Sequence, residues 1–334
     1  MKSLKRFLER TSPAVKRSVA AALIIVLLLV IALIGVDVWE RHHSSFEGDT
    51  DDSFLFVTLD GKQYERRLDV DVVLVAGLDK FDSDVSSESY NNDKQADFLL
   101  LLVIDHANKV ASAIHLNRDT MAEITVLGVG GSKVGTITGQ LALSHGFGKG
   151  GADSGRNVMR AVSQLLGIKI DNYATLTMDA VATLNDMVGG VTVTVQDDFS
   201  GVDDTLIKGE TITLMGEHAL NYVRARSGLE DSSNIARMER QRQYLTELYK
   251  QVLSAMREDE SFGDDAVLEM SDHLVSDFSV TAIDELFDAL GEYEFGEIYT
   301  LDGELKEGER YMEFYLDKDS ATRRIVELMY KEKK

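Results

Sequence analysis

Residues 222–242, with the sequence YVRARSGLEDSSNIARMERQR, concentrate arginine in a chain whose formal net charge is −22. A guanidinium group is a planar fork of donors that binds phosphate or carboxylate in a bidentate manner and stays charged at every accessible pH. The segment therefore predicts a site for an anionic ligand. Its arginines are Arg224, Arg226, Arg237, Arg240 and Arg242.

Two predicted helices flank the polar centre of this segment. The first ends near Arg226, and the second starts at Asn234, a residue type that can cap a helix. On the second helix Arg237 and Gln241 lie four residues apart and share a face, with Arg240 adjacent. A helix that only exposes a solvated face would carry similar residues, so the segment alone leaves both interpretations open.

Three further polar positions lie at the ends of runs that the apolar pattern predicts to be buried strands. Asp79 ends the first run, Asp97 begins the second, and Arg118 follows the third. The ends of buried strands in an α/β sheet usually face ligands, and two aspartates suit Mg²⁺ together with phosphate oxygens. The alternatives are that both aspartates cap turns, that Arg118 is an ordinary surface residue, and that Asp119 caps the next turn.

Together these residues describe a pyrophosphate site. Two carboxylates would hold a metal ion that neutralises some phosphate oxygens, and the arginines would neutralise the others. Phosphoryl transfer is catalysed in this way, because its chemistry consists mostly of positioning and charge stabilisation.

The elements that must position these residues alternate between strand and helix from residue 71 to about residue 200. Residues 155–167 and 179–190 have helical periodicity and end in glycine, and a strand pattern follows each of them. We therefore predict a three-layer αβα domain with a central mixed sheet. Residues 279–290, 293–301 and 320–330 predict a helix, a strand and a final helix that complete the domain.

The N-terminus predicts a membrane anchor. Residues 1–17 carry a net charge of +5, and the next eighteen residues from Val19 to Val36 are uncharged. That apolar run spans about 27 Å, close to the hydrocarbon thickness of a bilayer. A cleavable signal peptide is the competing interpretation, but its apolar region is usually shorter. The positive-inside rule then places the N-terminus in the cytoplasm and the C-terminal domain outside the cell.

The predicted organisation has four parts: a cytoplasmic tail at 1–17, a transmembrane signal anchor at 18–37, a tether with a small β hairpin at 38–70, and an extracellular domain at 71–334. The hairpin is predicted at residues 54–67 around Asp60-Gly61. The exported part carries a net charge of −27, which argues against a general nucleic-acid-binding surface. The chain has no cysteine, so disulfides, thiol nucleophiles and cysteine-ligated metals are excluded.

Across residues 70–250 the chain resembles the LytR-CpsA-Psr family. The motifs that carry the resemblance are GLD at 77–79, Asp97 before an apolar strand, RDT at 118–120, LGIKIDNY at 166–173, VGGV at 188–191 and the arginine segment. The resemblance implies a membrane-anchored enzyme that moves an anionic glycopolymer, such as a teichoic acid, from a polyprenyl-pyrophosphate carrier to peptidoglycan. It implies Mg²⁺ at Asp79 and Asp97, and pyrophosphate contacts from Arg118, Arg224, Arg226, Arg237, Arg240 and Gln241.

Three positions depart from the family pattern. Asn117 stands where the family usually has proline, and Asn234 stands where it usually has aspartate; asparagine cannot act as a base. Asp231 could substitute for that carboxylate, and Lys80 could replace an arginine often found near Asp79. Two alternative functions therefore remain: a non-catalytic protein that binds lipid pyrophosphate or glycopolymer, and a pyrophosphatase that hydrolyses the carrier.

Overall fold

The computed structural model describes residues 52–78, 95–259, 261–277 and 293–333. The strands are β1 Phe56–Leu59, β2 Lys62–Arg66, β3 Val70–Leu78, β4 Ala96–Asp105, β5 Val110–Leu116, β6 Met121–Leu127, β7 Lys133–Gln140, β8 Asn172–Thr177, β9 Val191–Thr194, β10 Thr211–Leu214, β11 Leu274–Ser276, β12 Glu294–Thr300, β13 Gly303–Glu307, β14 Met312–Leu316 and β15 Tyr330–Glu332. The helices are α1 Leu143–Gly146, α2 Gly151–Leu166, α3 Met178–Met187, α4 Gly216–Arg224, α5 Asn234–Glu258, α6 Phe262–Met270 and α7 Lys318–Met329.

Six strands form the central sheet in the order β11-β8-β3-β4-β5-β12. Strands β3 and β8 are parallel, as are β5 and β12, whereas β4 is antiparallel to both of its neighbours. The predicted mixed sheet is therefore confirmed. The long apolar runs of β3 and β4 suit the middle of this sheet, where both faces are covered.

Helices cover both faces of the sheet. Val73 and Val75 point to one face and pack in a core with residues of α3, α4, α5 and α6. Val72 and Leu74 point to the other face and pack with α2 and α7. This alternation follows from the two-residue period of a strand and confirms the predicted three layers.

The predicted hairpin at 54–67 is confirmed as β1 and β2. Asp60 and Gly61 both have positive φ, 51° and 77°, as the tight turn between two antiparallel strands requires. The last strand of the described chain, β15, adds to β2, so this small sheet joins both ends of the domain. Buried Arg66 fixes the sheet to the domain by donating to Asp171 at 2.8 Å and to the Lys169 carbonyl at 2.7 Å.

Besides the β1-β2-β15 sheet, the described residues form three two-stranded sheets outside the central sheet, namely β6–β7, β9–β10 and β13–β14. The strand predicted at 191–195 is confirmed as β9, but it pairs with β10 beside α5. The strand at 293–301 and the final helix are confirmed as β12 and α7. The helix predicted at 279–290 lies outside the described residues.

The predicted membrane anchor at 18–37 also lies outside the described residues. Among the helices that the structure describes, none is both long and apolar enough to cross a bilayer.

Candidate diphosphate site

The loop after β5 carries Arg118 in a tight turn. The Asn117 carbonyl accepts from the Thr120 amide at 3.0 Å and from the Thr120 hydroxyl at 2.6 Å. The Asn117 side-chain oxygen accepts from the Asp119 amide at 2.9 Å. These bonds hold the loop in one conformation, so the direction of Arg118 is set by its backbone.

Arg118 lies across the start of β4. It donates to the Gln95 side-chain oxygen at 2.5 Å, and its Nη1 contacts the Asp97 carboxylate. Its Nε lies 3.4 Å from Asp119 Oδ1. Arg118 and Asp97, predicted to contact the pyrophosphate and to hold Mg²⁺ respectively, therefore lie together and form an ion pair.

Arg237 reaches the same carboxylate from helix α5. Its Nη1 lies 3.6 Å from Asp97 Oδ1, and its Nη2 donates to the Asp97 carbonyl at 3.4 Å. Burial, together with the nearby charges of Arg118 and Arg226, lowers the pKa of the Arg237 guanidinium to about 9. Three guanidinium groups, those of Arg118, Arg226 and Arg237, thus lie near the two carboxylates of Asp97 and Asp119, which leaves one positive charge in this cluster for an anion to neutralise.

Helix α5 begins differently from the prediction. Ser233, not Asn234, caps it, because the Ser233 hydroxyl accepts from the Ala236 amide at 3.2 Å. Asn234 is the first helical residue and is buried. Its side-chain oxygen accepts from Arg237, and its side-chain amide donates to Asn117 Oδ1 at 2.7 Å.

A cleft of about 630 Å³ lies outside these buried groups. Arg118, Asp119, Arg226, Glu230 and Asn234 are among the residues that line it. Asp231 also lines the cleft, and its carboxylate accepts from the Ser233 amide at 2.8 Å. Hydrogen bonds from the Ser233 side chain and from the Ser233 amide lower the pKa of Asp231. Arg224, at the end of α4, is exposed and does not line this cleft.

Arg240 does not lie where a contact with pyrophosphate was predicted. It is fully buried, and its guanidinium donates to the Tyr222 carbonyl at 3.0 Å, to the Ala225 carbonyl and to Asp197. Those carbonyls belong to the C-terminal end of α4, where helix carbonyls lack partners within the helix. Arg240 therefore joins α4 to α5 and is not available to a ligand in the cleft.

Gln241 has a similar structural contact. Its side-chain amide donates to the Val223 carbonyl at 3.0 Å, so it too binds the end of α4. Arg242 lines a different cleft together with Glu239. The five arginines of the segment thus have different environments. Arg226 lines the cleft and Arg237 reaches Asp97 behind it, whereas Arg240 joins α4 to α5. Arg224 is exposed at the end of α4, and Arg242 lines another cleft.

An apolar cavity of about 60 Å³ lies between the sheet and helices α3, α4 and α5. Asn234, Arg237, Gln241 and Leu245 follow one face of α5, because they are three or four residues apart. Asn234 lines the cleft, whereas Gln241 and Leu245 line the cavity, about 10 Å and 16 Å further along the helix. The other cavity residues are Val75, Gly77, Phe98, Leu100, Leu176, Met178, Val181, Val223 and Tyr244.

Comparison with known proteins identifies the family. Residues 63–288 match the model of the LytR_cpsA_psr family. The chain belongs to this family. Biofilm regulatory protein A of Streptococcus mutans is 29% identical over 190 residues, which cover 54% of this chain and 44% of that protein. The polyisoprenyl-teichoic acid–peptidoglycan teichoic acid transferase TagV of Bacillus subtilis is 31% identical over 168 residues, which cover 48% of this chain and 40% of that protein.

The chain spans about half or less of the length of these curated relatives. Among solved structures, TagT bound to LI-WTA superposes with a TM-score of 0.57 at 21% identity, covering 81% of this chain and 97% of that chain. Protein gbs0355 from Streptococcus agalactiae gives a TM-score of 0.62 at 20% identity, covering 77% and 87%. These structures share the LytR-CpsA-Psr fold with this chain.

The two asparagines that depart from the family pattern are hydrogen-bonded to each other. Asn117 lies in the Arg118 loop, Asn234 starts α5, and their side chains meet at 2.7 Å. Arg237 consequently has an amide oxygen beside it where the family pattern would provide a carboxylate. The two asparagines therefore form one local arrangement, in which Arg237 donates to a neutral amide oxygen.

The family resemblance implies Mg²⁺ at Asp79 and Asp97. Asp79 and Lys80 lie outside the described residues, but Leu78 pairs with Ala96, so the backbone brings the two strand ends together. Asp97 Oδ1 is buried and already contacts Arg118 and Arg237, and a carboxylate oxygen is the donor type that suits Mg²⁺. Within the described ranges, no group of three or more His, Asp or Glu residues is arranged to hold a metal.

Several residues of the site could not be recognised in the sequence. Gln95 binds Arg118, Gln140 donates to Asp119 Oδ1 at 2.9 Å, and Asp197 binds Arg240. Each lies far along the chain from its partner, and none belongs to a motif. The one available signal was the position of Gln95 just before an apolar strand.

Proposed function

We propose that this protein is a membrane-anchored transferase that moves an anionic glycopolymer from a polyprenyl-pyrophosphate carrier to peptidoglycan. TagV, which belongs with the relatives of this chain, is named as a transferase of teichoic acid to peptidoglycan. The single observation that carries the proposal is that Arg118 and Arg237 share the Asp97 carboxylate beside a cleft lined by Arg226.

Diphosphate is the ligand that best suits this charge. Arg118 and Arg226 line the open cleft, and Arg237 lies buried behind Asn234 with a lowered pKa. An anion at the mouth of this group would stabilise all three charges at once. Diphosphate has enough oxygens to accept from several guanidinium groups, each of which binds in a bidentate manner.

The apolar cavity would take the first part of the polyprenyl chain. Its described lining is apolar apart from Gln241, whose amide is already bonded to the Val223 carbonyl. The cavity lies beyond Arg237 on the same face of α5, so a lipid there would place its diphosphate beside the arginines. At about 60 Å³ the cavity must widen to admit more of the chain, and we propose that it does so between the sheet and α5.

In the proposed reaction a hydroxyl oxygen of the acceptor attacks the phosphorus atom that bears the glycopolymer. The bond between that phosphorus and the bridging oxygen breaks, polyprenyl phosphate leaves, and the hydroxyl proton passes to water. The product is a phosphodiester between glycopolymer and peptidoglycan. The arginines orient the diphosphate and stabilise the charge that develops on the leaving oxygen.

Mg²⁺ held by Asp97 and Asp79 would neutralise further phosphate oxygens during this reaction. Asp97 would then serve both the metal and the two arginines. The predicted anchor at 18–37 would keep the domain outside the cell and close to the membrane that supplies its lipid substrate.

Release of polyprenyl phosphate tests this proposal. The full chain in detergent is incubated with a polyprenyl-pyrophosphate saccharide, a peptidoglycan acceptor and Mg²⁺. We expect release by the unmodified chain, and a fall of about 100-fold or more in Arg118→Ala and Arg226→Ala. Arg323→Ala is the control, because Arg323 is exposed and pairs with Asp60 far from the site. Release that is unaffected by either cleft substitution would refute the proposal.

A second candidate function is retention of the lipid-linked polymer without transfer. The observation that favours it is Asn234, which provides an amide where a carboxylate could act as a base. Tight binding of the lipid pyrophosphate with no release under any metal condition would support this candidate. A pyrophosphatase would differ from a transferase in its acceptor, because water instead of peptidoglycan would receive the phosphoryl group.

A further inference from the structure

We propose that the β13–β14 hairpin forms the binding wall for the acceptor saccharide, with Tyr311 and Arg310 as its contacts. This inference rests on the proposed function and adds to it the site of the second substrate. The hairpin lies at residues 303–316, beyond the part of the chain that matches the family model, 63–288.

The cleft beside the arginines has two different walls. Arg118, Asp119 and Arg226 line one part of it, together with Glu230 and Asp231, and the hairpin contributes Leu305, Arg310, Tyr311 and Met312 to the lining. A ligand that leaves the arginines and occupies the cleft must therefore touch the hairpin.

Hydrogen bonds fix this wall to the Arg118 loop. The Phe314 amide donates to the Asp119 carbonyl at 3.0 Å. Gln140 donates from one side-chain nitrogen both to Asp119 Oδ1 at 2.9 Å and to the Met312 carbonyl at 2.8 Å. The separation between hairpin and arginines is consequently set by the fold, as a subsite for a defined substrate requires.

The chemistry of the wall suits a saccharide. Tyr311 is 39% exposed and Met312 is 41% exposed, so an aromatic ring and an apolar chain face solvent in the cleft. An exposed aromatic with a polar tip binds surfaces that are partly apolar and partly hydroxylated, as sugar rings are. Arg310, also exposed, can donate to hydroxyl and carboxylate oxygens of the same ligand.

The direction of the reaction assigns this wall to the acceptor. The leaving polyprenyl phosphate would extend toward the apolar cavity, which Gln241 and Leu245 line further along α5. A hydroxyl that displaces it in line must approach phosphorus from the opposite side. We assign that side to the cleft between the Arg118 loop and the hairpin, because the hairpin residues line the cleft and do not line the apolar cavity.

The test compares Tyr311→Ala and Arg310→Ala with Tyr315→Ala in the full chain in detergent. Tyr315 is a matched control, because it is 43% exposed on the same hairpin, carries Lys306 over its ring at 5.1 Å and does not line the cleft. The donor is a polyprenyl-pyrophosphate saccharide, and the acceptor is a peptidoglycan oligosaccharide. Three quantities are measured: transfer to the acceptor, donor affinity, and binding of the acceptor alone.

We expect each cleft substitution to lower kcat/KM for the acceptor about tenfold and to weaken acceptor binding, with donor affinity unchanged and Tyr315→Ala like the unmodified chain. A parallel loss of donor affinity would assign the wall to the donor's own saccharide and overturn the inference. Unchanged transfer and unchanged acceptor binding would also overturn it. If the unmodified chain releases no polyprenyl phosphate, the proposed function fails, and binding of the acceptor alone still decides whether the hairpin holds a saccharide.

Discussion

The Asn234 side-chain amide donates to Asn117 Oδ1 at 2.7 Å and thereby joins the start of helix α5 to the loop that carries Arg118. Both asparagines are buried. Arg118 of this loop and Arg237 of α5 share the Asp97 carboxylate. The relative position of these three charged groups therefore depends on a hydrogen bond between two neutral side chains.

A double-mutant cycle on this pair measures that connection. Asn117→Ala leaves the Asn234 amide and the buried Asp119 amide without their acceptor, so we expect a loss of about 1–3 kcal/mol in unfolding free energy. Asn234→Ala should also destabilise the protein. The double variant should lose less than the two single losses combined, by about 1 kcal/mol, in denaturant unfolding. Strict additivity would show that the two side chains are not coupled.

Asn234→Asp tests whether the neutral residue matters for anion binding. A carboxylate here would lie beside Arg237 and neutralise its positive charge, which would then attract the diphosphate less. We expect inorganic diphosphate to bind about tenfold more weakly by calorimetry. Gln63→Glu is the control, because it adds the same charge at an exposed position on β2. A gain of turnover in Asn234→Asp would instead indicate that the site lacks a carboxylate, as the non-catalytic candidate requires.

Arg240→Ala should unfold more easily without any direct loss of ligand contacts. The substitution leaves Asp197 and the carbonyls of Tyr222 and Ala225 without their buried donor. Breaking a buried charge pair costs about 3–5 kcal/mol, which denaturant unfolding would detect. Arg224→Ala, at the exposed end of α4, should change the unfolding free energy by less than about 0.5 kcal/mol. Equal effects of the two substitutions would contradict the structural role of Arg240.

The pH dependence of stability should include a contribution from Asp105. Burial raises the pKa of this carboxyl, but hydrogen bonds from Arg67 and Asn108 outweigh that effect and lower the pKa from 3.8 to about 2. The folded protein thus binds this proton less readily than the unfolded chain. The contribution, about 2 kcal/mol, is present above pH 3.8 and is lost as the pH falls through 2.

Asp105→Asn should therefore lower stability at neutral pH and flatten the acid dependence of the unfolding free energy. Asp69→Asn is the control, since Asp69 also pairs with Arg67 but its side chain is 44% exposed. If the unfolding free energy of Asp105→Asn falls with acid as steeply as that of the unmodified chain, the Arg67–Asp105 pair makes no such contribution.

The sequence predicted the main elements because their patterns are local. The apolar runs of β3 and β4 indicated buried strands, and strand ends brought Asp97 and Arg118 together at one edge. Strand β9 has an equally clear pattern, but a pattern does not name a partner, and β9 pairs with β10 outside the central sheet.

The site was predicted less completely because residue type does not determine contacts. Arg237 and Arg240 lie one helical turn apart, yet one reaches Asp97 and the other reaches the end of α4. Ser233 and Asn234 are both good capping residues, and only the backbone shows that Ser233 accepts from the Ala236 amide. The hairpin wall depends on a contact between residues 119 and 314, which no spacing in the sequence indicates.

The most direct measurement follows the phosphorus atom. The full chain is given a polyprenyl-pyrophosphate saccharide with radioactive phosphorus on the saccharide side, together with a peptidoglycan acceptor and Mg²⁺. We predict that the label moves to the acceptor in a phosphodiester, and that this transfer is lost in Arg118→Ala and kept in Arg323→Ala. Label that stays on the lipid, or that is released as free saccharide phosphate, would contradict the proposed transfer.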